Sequence, residues 1–218
     1  MNITNNKVTQ YIDELYKPLN ISLGLLRKQA EAARVPIILR DTETLILNLI
    51  RMKQPQRILE IGTAVGYSSS CFAAAYEETK IVTIEYNEET CQTARDNIEL
   101  LGLSDRITVY LGDGEKVIEQ LYEKGIEPFD MVFIDASKSH YKRFWDAAIR
   151  LVQKDAVILS DNVLMKAMTV SDEYDVNGRH KTNIRKMREY VQYINALDYC
   201  HTSVVPVGDG LAISMLHL

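Results

Sequence analysis

The sequence predicts an α/β protein: a central, mostly parallel sheet with helices on both faces and an antiparallel hairpin at its carboxyl end. Three observations carry this. Five short runs rich in Ile and Val recur through the chain, and near-continuous apolar runs of this length suit strands covered on both faces. The segments between them have helical spacing. The last stretch reads as two strands around a glycine-containing turn.

Taken in order, Lys7–Tyr16 and Leu23–Ala33 have the pattern of amphipathic helices, and Thr42–Met52 follows as a third. The strand candidates are Arg57–Gly62 (RILEIG), Lys80–Glu85 (KIVTIE), Ile107–Asp113 (ITVYLGD), Asp130–Asp135 (DMVFID) and Ala156–Asp161 (AVILSD). Glu88–Leu101 puts Thr90, Ala94, Ile98 and Leu101 on one helical stripe, with Gly102 as its stop. Tyr141–Val152 is the helix between the fourth and fifth strands. Asn183–Ala196 presents Ile184, Met187, Val191 and Ile194 on one face. The tail, Thr202–Leu216, turns at Pro206-Val207-Gly208-Asp209-Gly210.

With 218 residues and 46% hydrophobic content the chain can bury one substantial core, so it reads as one domain, with residues 1–52 supplying amino-terminal helices and 53–218 the sheet. Its opening segment lacks a basic and an apolar region of the signal-peptide kind, and its apolar runs are too short and charge-broken for a membrane span. Cys71, Cys91 and Cys200 are odd in number and widely spaced, which fits reduced thiols and a cytoplasmic location. The net charge of -5 does not announce a nucleic-acid binder, but Arg179–Arg188 holds five positive residues and no acid. Such a cluster is either a solvated helix face or a local attractor of phosphate.

Glu60, Glu85, Asp113, Asp135 and Asp161 all fall at or near the carboxyl ends of the expected strands. Any one of them can be a helix cap or turn residue. Five together mark the sheet edge where open α/β sheets bind ligands. After the first strand, Gly62-Thr63-Ala64-Val65-Gly66 is a glycine loop in which Gly66 opens a helix whose free N–H groups can meet a carboxylate. Ala64 occupies the second glycine position of the dinucleotide fingerprint, which favours S-adenosyl-L-methionine over a pyrophosphate cofactor. Glu85 is placed to accept from both ribose hydroxyls. Asp113 either accepts from an adenine amino group or caps a turn.

Asp135, Asp161 and Asn162 form an all-oxygen set suited to Mg2+ or another divalent cation, with Asp135 also bordering the cofactor. A cation there polarises a substrate oxygen. Lys138, three residues past Asp135, is the candidate general base, since a neighbouring dication favours the neutral amine. Each residue alone has a plainer explanation, an Asx turn for Asp161-Asn162 and a surface lysine for Lys138. Their conjunction with the glycine loop points to chemistry. His140 reads as a surface or substrate-loop residue, and no placed catalytic histidine supports a dehydrogenase.

The string ILEIGTAVGYSS … IVTIEYN … GDG … FDMVFIDASKSHY … VILSDNV … PVGDGLAIS resembles the catechol and caffeoyl-CoA type O-methyltransferases from about Pro36 to Ser214. The resemblance implies a Rossmann-like class I methyltransferase fold, Mg2+ held by Asp135, Asp161 and Asn162, and Lys138 as base. It also implies cofactor contacts at Gly62, Ser68, Glu85 and Asp113, a backbone contact near Ile38, and a homodimer, which the apolar faces of the amino-terminal helices permit. Within the family the sequence is most similar to the bacterial tRNA 5-hydroxyuridine methyltransferases, through Val35–Ile37, Lys53–Ser68 and Asp161–Leu164. That branch carries an arginine run where this chain has Arg179–Arg188. The implied partner is the anticodon loop of tRNA, with Arg179, Lys181, Arg185 and Lys186 on phosphate and help from Arg27, Lys28 or Arg34. The same apparatus also fits a small catechol-like or phenolic substrate. A binding module without turnover is disfavoured because Asp135, Lys138, Asp161 and Asn162 are all present together.

Overall fold

The computed structural model describes residues 5–218. Three helices precede the sheet: α1 (Asn6–Leu15), α2 (Ile21–Ala32) and α3 (Arg40–Lys53). Alternation then runs β1 (Arg57–Ile61), α4 (Tyr67–Ala75), β2 (Lys80–Glu85), α5 (Glu88–Leu100), β3 (Ile107–Leu111), α6 (Gly114–Glu123), β4 (Phe129–Ile134), α7 (Tyr141–Ala148) and β5 (Val152–Ser160). Helix α8 (Lys181–Asn195) and the hairpin β6 (Cys200–Val205) and β7 (Leu211–Leu216) complete the chain. The sheet has the order β3-β2-β1-β4-β5-β7-β6, parallel through β5 and antiparallel at β7 and β6. The predicted fold class is the observed one.

Side chains alternate across the sheet and feed two apolar layers. Leu59, Val132, Ile134 and Ile158 pack with Trp145 of α7 and Met187 and Tyr190 of α8. Ile58, Met131, Phe133 and Leu159 pack on the other side with Leu26, Ile46, Ile50 and Phe72, and the Phe72 and Phe133 rings meet edge to face at 5.3 Å. Burial on both faces explains why these strands read as unbroken apolar runs. Strand order reverses between β1 and β4, so the loops after them open a crevice at one edge of the sheet.

Several expected boundaries move. The third strand ends at Leu111, because Gly112 has φ 153 and Asp113 already caps α6. Helix α7 stops at Ala148, and a 3-10 turn at Ile149–Leu151 leads directly into β5. The buried stripe of α5 is Cys91, Ala94 and Ile98 rather than one containing Thr90. In α8 Tyr190 is fully buried beside the expected Ile184, Met187 and Ile194, and Val191 is half-buried and packs against the same layer. Helix α1 buries no residue and leaves Val8, Tyr11, Ile12 and Leu15 exposed.

Candidate functional site

A cavity of about 1000 Å³ opens at the carboxyl ends of β1, β2, β4 and β5. Gly62, Ser68, Glu85, Asp113, Asp135, Lys138, Asp161, Asn162 and Ile38 all line it, so nearly every site residue expected from the sequence meets in one place. Glu60 does not. It lies inside β1, fully buried beneath the floor, because its side chain points to the α4 side of the sheet as Ile58 does. There it accepts from Ser68 Oγ at 2.5 Å and Thr83 Oγ1 at 2.6 Å. Burial pushes its carboxyl up to about 7, against the lowering effect of those hydroxyls.

One end of the cavity is built by the β1–α4 loop, where the sequence predicts the cofactor. A Cβ on Gly62 would stand 1.9 Å from the Asp135 carbonyl, so the glycine is required by the approach of the β4 chain end rather than by a ligand alone. Gly66, with φ 77, ends the loop, and no side chain caps α4 among the described residues. The first turn of α4 therefore presents N–H groups towards the cavity wall at Tyr67 and Ser68. Gly66 itself is buried behind that turn, against Ile98 and the Ala94 carbonyl. Glu85 is held by two backbone donors, Ala64 N and Asn87 N, each at 2.9 Å. Asp113 caps α6 by accepting from Lys116 N at 3.3 Å while still facing the cavity, so both alternatives raised for it are geometrically compatible. The Ile38 carbonyl accepts from Arg27 Nη2 at 2.7 Å.

At the other end Asp135, Asp161 and Asn162 bring two carboxylates and an amide oxygen together. Lys138 Nζ donates to Asp135 Oδ1 at 3.0 Å, to Tyr141 Oη at 2.9 Å and to Asn162 Oδ1. A positive charge thus already fits between two of the three oxygens. Burial, reinforced by the nearby Asp135 charge, pushes the Asp161 carboxyl up to about 8. A set of two carboxylates and an amide oxygen, all hard donors facing one cavity, suits a hard divalent cation such as Mg2+. Tyr141 Oη donates to the Asp161 carbonyl at 3.0 Å and so ties the β4 end to the β5 end.

Sequence reasoning passed over three wall components. Phe144 lies against Gly114 and its ring is 6.0 Å from that of His140, giving the cavity an aromatic side. Lys166 and Asp209 also line it, and Asp209 accepts from Lys166 N. Burial raises the Asp209 carboxyl above its ordinary range. Asp209 was visible in the hairpin turn, but nothing local tied that turn to a site some fifty residues upstream.

The basic residues are spread differently from expectation. Arg179, Lys181 and Arg185 are exposed and Lys186 is half-buried. Arg185 and Lys186 both pair with Glu189, the residue just past the acid-free run, at 2.9 and 3.0 Å. Arg188 pairs with Asp172 and donates to the Met168 and Thr169 carbonyls, which joins α8 to the segment after Asn162. Arg27 must be removed from the phosphate-contact set. It is 4% exposed and bound to Glu43 at 2.6 Å and to Tyr67 Oη at 3.0 Å, so it has no free face for an RNA. Lys28 and Arg34 are exposed.

The family model described as O-methyltransferase matches residues 22–216. A catechol O-methyltransferase from Niastella koreensis is 30% identical over 189 residues, covering 82% of this chain and 86% of the relative. A Staphylococcus aureus crystal structure assigned to the caffeoyl-CoA O-methyltransferases superposes with a TM-score of 0.89 at 32% identity, over 97% of this chain and 100% of the other. An O-methyltransferase from Bacillus cereus in complex with S-adenosylhomocysteine (SAH) superposes with a TM-score of 0.83 at 26% identity, over 96% and 97% of the two chains. The chain belongs to the S-adenosylmethionine-dependent O-methyltransferase family of the catechol and caffeoyl-CoA type.

Proposed function

We propose that this enzyme methylates the 5-hydroxyl of 5-hydroxyuridine at the wobble position of tRNA, with the help of a divalent cation. The observation that carries the chemistry is the convergence of Asp135, Lys138, Asp161 and Asn162 on one cavity wall, beside the glycine loop. A hydroxyl next to a second oxygen is the group such a site selects, and 5-hydroxyuracil has its hydroxyl beside a carbonyl. The RNA assignment is supported by the attachment of the basic helix α8 to the chain segment that follows Asn162. Phosphate contacts on α8 would position the anticodon loop while the base enters the cavity.

In this reading Glu85, fixed by Ala64 N and Asn87 N, accepts from the ribose hydroxyls, and the uncapped first turn of α4 receives the carboxylate of the methionyl part. When bound, S-adenosylmethionine supplies an electrophilic methyl group. Asp135, Asp161 and Asn162 would hold the cation, which lowers the pKa of the substrate hydroxyl. Lys138 takes the hydroxyl proton on Nζ, and Tyr141 Oη, fixed by the Asp161 carbonyl, holds that nitrogen at the site. Phe144 and His140 line the same cavity and give it an aromatic side against which a planar ring can lie.

A second reading, methylation of a small catechol-like substrate, is favoured by one specific observation: Arg185, Lys186 and Arg188, three of the five cations of the basic stretch, are paired with two carboxylates, Glu189 and Asp172. The test is methyl transfer from labelled S-adenosylmethionine with Mg2+, offering tRNA bearing 5-hydroxyuridine and, separately, catechol. The proposal expects efficient labelling of the tRNA, little turnover of catechol, and loss of labelling on chelation. Efficient catechol turnover with inert tRNA replaces the substrate assignment by the second reading, and full activity after complete chelation removes the cation.

A further inference from the structure

Asn162 is the oxygen donor least secured by the sheet. It lies two residues past the end of β5, in a left-handed backbone conformation with φ 57. Met165, Lys166 and Ala167 follow with φ of 47, 54 and 68. Four non-glycine residues in six thus occupy a region that L-residues avoid, and such a segment persists only where its surroundings over-determine it.

What over-determines it is the β6–β7 turn. Val163 N donates to the Gly210 carbonyl at 2.9 Å and Leu164 N to the Asp209 carbonyl at 3.0 Å. These two bonds need only backbone. The third, Lys166 N to Asp209 Oδ1, needs an acceptor on the side chain. Turn and segment are also in close contact, since a Cβ on Gly210 would stand 2.4 Å from Leu164 Cγ. Helix α8 secures the far side through Arg188 to the Met168 and Thr169 carbonyls. Between these supports, the Lys166 amide has the Asp209 carboxylate as its partner within the left-handed stretch.

The geometry points to Asp209 as a positioning residue: its carboxylate, through the Lys166 amide, holds the left-handed segment that aims Asn162 into the cation site. The inference rests on the reading of Asn162 as a cation ligand. It predicts that the hydrogen-bond acceptor at position 209 matters for cation affinity and that its charge does not. An amide oxygen satisfies the same N–H, so asparagine should serve where alanine fails.

The experiment titrates Mn2+ into the wild-type enzyme, Asp209→Ala, Asp209→Asn and Asn162→Ala, with free Mn2+ followed by electron paramagnetic resonance. S-adenosylmethionine affinity is measured on the same proteins by calorimetry without metal. Asp209→Ala is expected to bind Mn2+ about tenfold or more weakly, the range for losing a group that orients a ligand. Its S-adenosylmethionine affinity should be unchanged, and Asp209→Asn should recover most of the Mn2+ affinity. Unaltered Mn2+ binding in Asp209→Ala overturns the inference while leaving the cation site standing. Equal loss of both ligands overturns it by revealing a general structural defect, and failure of asparagine to rescue overturns it by assigning the effect to charge. If the wild type binds no Mn2+, or Asn162→Ala binds as well as the wild type, the cation-ligand reading itself fails and the inference falls with it.

Discussion

Lys138 Nζ sits between the oxygens of Asp135 and Asn162, with Tyr141 Oη as its third partner. On the proposed function, replacing it by methionine removes both the proton acceptor and the charge that competes for those oxygens. In a methyl-transfer assay Lys138→Met should lower kcat by about 10²–10⁴, the range for losing a general base. Mn2+ affinity in the same variant should hold or rise, whereas a lysine that merely supported the fold would carry cation binding down with activity. Glu60 gives the residue scale a second, independent test. Its folded carboxyl is raised to about 7 from an ordinary 4.5, so the folded state holds a proton that the unfolded chain has released between these values. The associated stabilisation is complete below the unfolded value and is lost as pH rises through about 7; it amounts to about 3 kcal/mol at most. Thermal unfolding should therefore show falling stability from pH 5 to 8, and Glu60→Gln, which cannot ionise, should flatten that slope. Most site residues were legible because FIDASK and SDNV are contiguous strings with their chemistry on the surface of the text. Glu60 does stand beside the end of β1, but it is fully buried and accepts from Ser68 and Thr83 beneath the cavity rather than in it, which strand position alone does not show. Asp209 and Phe144 were illegible as site residues because only the third dimension brings their segments to the cavity.

At the scale of elements, alternating apolar runs and helical stripes specified the order of strands and helices, and the Pro206–Gly210 turn specified the hairpin. Ends were harder. Gln153, Lys154 and Asp155 are exposed and polar, so β5 read as starting at Ala156, although Val152 already pairs with Phe129 across an irregularity in the register. Helix α8 shows the same limit in charge: a run without acids looked free until folding set Glu189 one turn from Arg185. That pairing makes the two halves of the basic patch unequal. Arg179 and Lys181 have no ion pair among the described residues, while Arg185 and Lys186 share one carboxylate. If α8 contacts tRNA phosphates, each free cation removed should reduce the salt slope of binding by about 1. Arg179→Ala with Lys181→Ala should then lower the slope more than Arg185→Ala with Lys186→Ala, because Glu189 already offsets part of the second pair. Filter binding or fluorescence anisotropy across a salt series measures both, and equal or absent effects count against α8 as the RNA surface.

For the whole molecule, the question is how helices that precede the sheet come to shape a cavity at its edge. Arg27 of α2 answers it. Its guanidinium binds Glu43 of α3 at 2.6 Å, Tyr67 of α4 at 3.0 Å and the Ile38 carbonyl at 2.7 Å, with Tyr16 Oη also donating to Glu43 at 2.8 Å. Two of those partners, Ile38 and Tyr67, line the cavity, so one buried cation links three helices to the cavity wall proposed to take the cofactor. Arg27 and Glu43 are each buried to within a few percent of their surface, and breaking such a pair from one side leaves the other charge without compensation. Arg27→Met should therefore destabilise the protein by about 3–5 kcal/mol in chemical denaturation. Adding Glu43→Gln should restore much of that loss, since the stranded carboxylate is gone, and the difference between single and double variants isolates the coupling. S-adenosylmethionine affinity should behave otherwise: neither methionine nor glutamine replaces the donor to the Ile38 carbonyl, so binding stays weak in the double variant although stability returns. Recovery of both together would mean that Arg27 only holds the helices on the sheet; recovery of stability alone would mean that it also shapes the wall the cofactor meets.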